Sequence, residues 1–233
     1  MLERAPGEAV KTNIWGTLSV LEAAADAGVE RFVNVSTDKA ADPASVLGYS
    51  KRITERLTAH FAHRGLGVFL SVRFGNVLAS SGSVLTTFHA QLKAGGPLTV
   101  THRDVTRYFM TVEEAVELVI QAGAIGRAGE ALVLDMGAPV RIAEVAQRMA
   151  AQAKRPTRVV YTGLRTGEKL HEVLLGAREA DERPIQPAIS HVAVPSLDPL
   201  DVRTLDPWVP TSELIETMRY LCIDEAVPSP RRG

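Results

Sequence analysis

Two short apolar runs, residues 29–35 and 68–74, constrain this chain more than anything else in it. They are of strand length, and the second is rich in β-branched and aromatic residues, so both read as buried strands. Between them, residues 46–63 carry Leu47, Ile53, Leu57 and Phe61 at helical spacing, an inward stripe. Ahead of them, residues 8–27 repeat the pattern with Val10, Ile14, Leu18, Leu21 and Ala25, and Gly28 supplies the stop. Gly16 inside that helix costs about 1 kcal/mol against alanine, which points to close packing there. Helix, strand, helix, strand implies an α/β fold with a parallel sheet and right-handed crossovers.

In an open parallel sheet, ligands collect at the carboxyl ends of the strands. Here the first strand runs into Thr37, Asp38 and Lys39, and the following helix brings Lys51. A hydroxyl, a carboxylate and two amines at that edge form a plausible acid/base set. After the second strand come Gly75-Asn76, then Ser80-Ser81-Gly82-Ser83, then a helix over 84–94. Small polar residues ahead of a helix N-terminus suit an anion, and ordinary capping accounts for the same residues.

Further along, short strands are expected at 98–101, 107–110, 131–135 and 158–161, and helices at 112–124 and 142–153. Thr111 and Glu114 match a capping box. The basic segment 163–172 is read as leading into a helix to about Leu175. Residues 176–210 read as irregular, with a short strand near 191–194, and 212–221 as the last helix. Three parts are expected: a partial dinucleotide-fold domain over 1–95, a mixed remainder with a substrate-binding lobe over 96–221, and a tail over 222–233.

A net charge of −1 in 233 residues gives no electrostatic footprint for nucleic acid. The single cysteine, Cys222, excludes an internal disulfide framework and fits a reducing, cytoplasmic setting. No run reaches the ~18 apolar residues of a membrane span. His60 and His63 share a helix face, but without a carboxylate-rich partner motif they read as solvated surface, not a metal site.

A nucleotide-binding α/β protein carries a Gly-x-Gly-x-x-Gly turn after its first strand. None is present, only two strong parallel strands are visible, and the first would leave an apolar edge unpaired. The chain therefore reads as the later part of a larger fold.

Six phrases, EAVKTNIWGTLSVLEAA, RFVNVSTDKAADP, GYSKR, VRFGNVLASSGSVL, GGPLTVTHRDVTRYFMTVEEAVELV and GLRTGEKLHE, occur in order from about residue 8. In them the chain resembles the extended short-chain dehydrogenase/reductase proteins of bacterial surface polysaccharide synthesis. Within these it is most similar to the nucleotide-sugar 4,6-dehydratases of the polysaccharide biosynthesis (CapD-like) group. The resemblance implies the C-terminal part of an extended Rossmann-type fold, without the first strands and the glycine-rich turn. It implies a UDP-N-acetylhexosamine substrate, NAD(P), and a homo-oligomer whose long members are often membrane-anchored, with a cytoplasmic catalytic domain. Alternatives are a non-catalytic remnant or dimerisation module, and a UDP-sugar 4-epimerase.

The resemblance also implies roles. Thr37 would bond the sugar 4-hydroxyl, Asp38 would protonate the leaving C6 hydroxyl, and Lys39 would be the base near C5. Lys51 would hold the nicotinamide ribose and Ser36 would pack against the nicotinamide. Asn76 would contact the diphosphate, with Ser83 nearby. Arg107 and Arg165 would pair with phosphate oxygens, and Glu168 would take the ribose or uracil side. Asn13 would lie near the site's floor and order the strand ends. Leu47 stands where the superfamily's tyrosine is expected, four residues before Lys51. Tyr49 is turned about 200° round the helix from that position and cannot substitute.

With no pyrophosphate site encoded, the isolated chain is expected to bind no NAD(P) at micromolar concentration, and its open apolar edge to promote aggregation. Calorimetry showing a tight 1:1 complex overturns the first expectation, and a sharp monomeric sedimentation boundary the second.

Overall fold

The computed structural model describes residues 2–65, 67–78 and 83–223. After a 3-10 turn at Leu2–Arg4, one continuous helical stretch runs through α1 (Pro6–Glu8), a π-helical segment (Ala9–Trp15) and α2 (Gly16–Asp26). Then follow β1 (Arg31–Thr37), a 3-10 turn (Asp38–Ala40), α3 (Val46–His63), β2 (Val68–Phe74), β3 (Asn76–Val77) and α4 (Val84–Lys93). Next come β4 (Leu98–Val100), β5 (Thr106–Arg107), β6 (Phe109–Met110), α5 (Val112–Ile125), β7 (Glu130–Leu134), β8 (Val140–Arg141) and α6 (Ile142–Ala151). The chain closes with β9 (Val159–Tyr161), β10 (Ile189–Ala193), α7 (Pro199–Arg203) and α8 (Thr211–Tyr220). No helix among the described residues is long and apolar enough to cross a membrane.

The main sheet has the order β1-β2-β7-β10. β1, β2 and β7 are parallel and β10 is antiparallel to β7. The sheet thus has three parallel strands rather than two. β7 is easy to underrate because only Ala131, Leu132 and Val133 pair with β2, but all three are buried. β1 is the edge: among the described residues only β2 pairs with it.

Helices cover both faces. Ile53, Leu57 and Phe61 of α3 pack with Ile14, Leu18 and Leu21 and with Phe69 of β2. Leu118 and Ala122 of α5 pack with Leu70, Val72 and Leu132 on the opposite face. A separate cluster joins Phe88 of α4 to Leu98 and Val100 of β4, Val105, and Ile142 and Ala146 of α6.

Several sequence expectations are corrected. β1 begins and ends two residues later than the apolar run, so Ser36 and Thr37 belong to the strand. Leu47 is not part of the inward stripe of α3: it is half-exposed, and Val46 and Tyr49 are buried instead. Gly16 is not forced by close packing, because an added Cβ would meet only the Lys11 carbonyl oxygen, at an ordinary 3.7 Å. No helix forms over 163–175. Gly163 and Gly167 adopt positive φ, and the backbone there pairs elsewhere, with the Leu170 carbonyl accepting the Thr106 N–H. The proline-rich stretch contains a helix, α7, with Asp198 as cap and Pro199 in the first turn. The Ser80–Gly82 part of the proposed anion site and the tail from 224 lie outside the described residues.

The face of β1 and β2 toward α3 carries a polar layer. The Asn34 amide donates to Thr54 and Ser71. The Ser36 hydroxyl donates to Glu55 Oε1 at 2.6 Å. Glu55 accepts from Arg73 at 2.7 and 2.9 Å and from Arg52 at 3.3 Å. Glu179, from the loop before β10, closes the group on both arginines. Two buried cations and two carboxylates thus neutralise one another. Burial pushes the Glu179 carboxyl up, but the hydrogen bonds and charge of Arg73, the Gly176 N–H and Arg52 outweigh it and hold it at about 2. Burial works against the Arg73 charge too, and Glu55 and Glu179 more than reverse it.

Glu55→Gln leaves buried arginines short of a countercharge, and a loss of about 3–5 kcal/mol of unfolding free energy is expected from denaturant titration. A depressed carboxyl contributes stability above its unfolded value of 4.5 and loses it as pH falls toward about 2. Glu179→Gln is therefore expected to flatten the stability profile across that window, and an unchanged acid slope refutes the assignment.

Candidate functional site

A cavity of about 560 Å³ opens between the carboxyl end of the main sheet and the α4/α6 cluster. Its size is that of small-molecule sites. The sheet side contributes Lys39, Leu47 and Asn76, and the opposite wall Val84, Thr87, Phe88, Thr99 and Val105. The segments around 107 and 165–172 contribute Arg107, Arg165, Glu168 and Glu172. Among the described lining residues the charges are three cations and two carboxylates.

Lys39 is placed by three contacts. The Thr37 hydroxyl accepts from the Lys39 backbone N–H at 3.5 Å and caps the 3-10 turn. The Lys39 ammonium donates to Asp38 Oδ1 at 2.9 Å and to Asn76 Oδ1 at 3.3 Å. Gly48 lets the first turn of α3 lie against this turn: an added Cβ would clash with the Lys39 carbonyl oxygen and press on Pro43. Asp38 is 0 % exposed and lies behind the wall. Its Oδ1 also accepts from the Thr37 hydroxyl at 3.0 Å, and its Oδ2 has no partner among the described residues.

Arg107 is buried, its guanidinium held by the Thr106 and Leu170 carbonyls and by Glu168 at 3.0 Å. Both Glu168 oxygens are engaged: Oε1 accepts from Arg107 and Thr101, and Oε2 from the Arg165 N–H. Glu168 thus orders Arg107 and the 165–168 turn. Gly167 sits in that turn at φ +76° with Ser45 and Ala44 3.1–3.2 Å from where a Cβ would be, so it suits glycine on both counts. Arg165 is exposed on the cavity rim.

Ser36, Thr37, Asp38 and Lys51 are not part of the wall. Ser36 is buried on Glu55. The Lys51 ammonium donates to the Val35 carbonyl at 3.0 Å on edge strand β1. Burial lowers its pKa against the pull of Glu55. Ser83 caps α4, accepting from the Thr86 N–H. Asn13 donates to Ser50 at 2.9 Å, tying the π-helical segment to α3 rather than ordering the strand ends. The Tyr49 hydroxyl accepts from Arg219, on the α8 side. The position four before Lys51 does face the cavity, and Leu47 occupies it.

Sequence reasoning missed Gly48, Glu55, Glu179 and Glu172. Their roles rest on contacts with distant parts of the chain, for which no spacing rule exists. Gly48 and Glu172 left a trace, as the first residue of GYSKR and the last of GLRTGEKLHE.

For NAD(P), the sequence as given carries no Gly-x-Gly-x-x-Gly turn to cradle the pyrophosphate, and Lys51, half-buried, keeps its ammonium on the Val35 carbonyl of β1.

A family model for polysaccharide biosynthesis proteins matches residues 1–193. EpsC of Bacillus subtilis, named a probable polysaccharide biosynthesis protein, is 46 % identical over 81 % of this chain and 32 % of its own length. The capsular polysaccharide biosynthesis protein CapD of Staphylococcus aureus is 45 % identical over 77 % and 31 %. A UDP-glucose 4-epimerase of Rickettsia akari is 35 % identical over 75 % and 52 %. The chain thus spans about a third of EpsC and CapD and about half of the epimerase. Among solved structures, Pen from Bacillus thuringiensis superposes with a TM-score of 0.74 at 32 % identity, over 84 % of this chain and 62 % of that one. MoeE5 in complex with UDP-glucuronic acid and NAD gives 0.57 at 26 %, over 68 % and 60 %. The carboxyl-edge cavity, the Thr37-Asp38-Lys39 turn and the family match over most of the sequence together show that the chain belongs to the polysaccharide biosynthesis protein family, with the Rossmann-type fold of short-chain dehydrogenase/reductase enzymes.

Proposed function

We propose that this chain is the substrate-binding and elimination part of a nucleotide-sugar 4,6-dehydratase acting on a UDP-N-acetylhexosamine. One observation carries the reading: a lysine at the cavity wall is hydrogen-bonded to a fully buried aspartate, across from two arginines. Planar guanidinium groups suit the diphosphate. Arg107 is fixed in place to receive it, and Arg165 can swing in from the rim.

Lys39 is the one lysine among the described lining residues. It takes the C5 proton. It does so as a neutral amine, having first passed one ammonium proton to Asp38; the ammonium formed by taking the C5 proton then protonates the C6 oxygen, which leaves as water, because Asp38 cannot reach a sugar from behind the wall. This revises the role implied by resemblance, in which Asp38 meets the leaving group itself. Asn76 keeps Lys39 directed at the cavity. Leu47 offers no proton acceptor, so the 4-hydroxyl proton does not leave through a tyrosine here. Lys51 would hold the ribose end of NAD(P), which would supply the redox chemistry at C4 and C6.

The second reading, 4-epimerisation, draws on the Rickettsia relative's name and on the shared fold. Epimerisation at C4 needs no elimination acid, and the Asp38–Lys39 pair favours dehydration. Product mass decides between them once the chain is joined to a dinucleotide-binding half: a product lighter by one water supports dehydration, and one of equal mass supports epimerisation. In that fusion Lys39→Ala is expected to lower kcat about 10²–10⁴-fold. In the isolated chain Arg165→Ala is expected to weaken UDP binding about tenfold or more. Wild-type turnover by Lys39→Ala overturns the assignment.

A further inference from the structure

Glu172 is 7 % exposed and lines the cavity, yet its Oε2 has no hydrogen-bond partner among the described residues. It forms no ion pair with either arginine of that cavity, whereas its neighbour in sequence, Glu168, holds Arg107. A carboxylate oxygen withdrawn from water without a partner is costly. Buried polar groups are nearly always satisfied, so an exception at a cavity calls for an explanation, and a ligand, a water or an ion supplying the missing bond is one.

The backbone fixes where this carboxylate points. Thr106 and His171 form a parallel bridge, reinforced by a 2.9 Å bond between the Thr106 hydroxyl and His171 Nδ1. In extended chain, successive side chains alternate in direction. Thr106 and His171 turn toward each other, so Arg107 and Glu172, one residue on, turn together into the cavity, and both line it. The segment is anchored on both sides, by Lys169 on the Ala41 carbonyl and by the Thr106 N–H on the Leu170 carbonyl. The backbone carrying Glu172 is therefore held in place, while its Oε2 has no partner among the described residues.

We propose that Glu172 is a specificity-determining residue of this cavity, accepting a hydrogen bond from a hydroxyl or N–H donor of the bound nucleotide sugar. A carboxylate beside a diphosphate-binding arginine repels phosphate oxygens, so it selects for the donor-bearing part of the ligand. The inference rests on the nucleotide-sugar reading given above.

The test is calorimetric titration of the chain, wild type, Glu172→Gln and Glu172→Ala, with pyrophosphate, UDP and UDP-N-acetylglucosamine. Glu172→Ala is expected to weaken UDP-N-acetylglucosamine about 10–100-fold, the range for a bond to a charged acceptor, and to leave pyrophosphate unchanged. A loss confined to the sugar nucleotide places the donor on the hexosamine; an equal loss with UDP places it on the uridine; either supports the inference. Equal affinities in all three proteins overturn it. Failure of the wild type to bind UDP and UDP-N-acetylglucosamine overturns the nucleotide-sugar reading itself, and the inference with it. Melting temperature separates a structural role: removing an unpartnered buried charge is expected to hold or raise Tm in Glu172→Gln. A lowered Tm with unchanged binding makes Glu172 a structural residue and overturns the inference.

Discussion

Glu55 is the residue on which the geometry of this site depends. It sits more than two turns from either end of α3, buried, and its two oxygens receive Ser36 from β1, Arg73 from β2 and Arg52 from its own helix. A helix packed on a sheet through apolar contacts alone can slide by small amounts at little cost. A carboxylate gripped by charged and neutral donors on two adjacent strands cannot, because any slip leaves a charge unpaired in a dry interior. The register Ser36↔Arg73 puts both of these donors side by side at the strand ends. Over the next three residues the chain places Thr37, Asp38 and Lys39, with Asp38 still fully buried. The acid/base turn inherits its position from an ion network that it does not touch.

The sequence was most legible where structure is local. The bounds of α3 and β2 agree with its pattern to the residue, and the Thr111–Glu114 capping box forms both of its bonds. These depend on residues within a few positions of one another. The errors come from long-range partners. The apolar run at 29–35 places β1 two residues early, because the strand extends through Ser36 and Thr37, which pair in parallel with Arg73 and Phe74. The segment 163–175 has helix-forming residues but gives its backbone groups to the cavity wall. Leu47 fits the helical stripe by spacing, and only its neighbours show that it faces the cavity.

The candidate site divides in the same way. Lys39, Asn76, Arg107, Arg165 and Glu168 stand in phrases whose order suggested a common site, and all five line one cavity. Ser36, Thr37, Asp38 and Lys51 stand in the same phrases but lie behind or beside it. Spacing could not tell the two groups apart, because alternation along β1 sends neighbours to opposite sides and the 3-10 turn then rotates Asp38 inward and Lys39 outward. The carboxylates are the clearest case. Glu55, Glu168 and Glu179 are engaged on arginines, and no spacing rule in the sequence distinguishes them from Asp38 or Glu172.

That distinction has a physical meaning. Three buried side-chain atoms of the described residues have no partner: Asp38 Oδ2, Glu172 Oε2 and His191 Nε2. Elsewhere among the described residues the fold satisfies buried charge, even in a group of two arginines and two carboxylates. Two of the three exceptions are carboxylate oxygens, one behind the cavity's only lysine among the described residues and one on its wall. An unmet carboxylate oxygen lowers stability, and in the proposal for Glu172 that cost is offset when a ligand brings a donor to the cavity, so the unsatisfied bond itself favours the occupied state over the empty one.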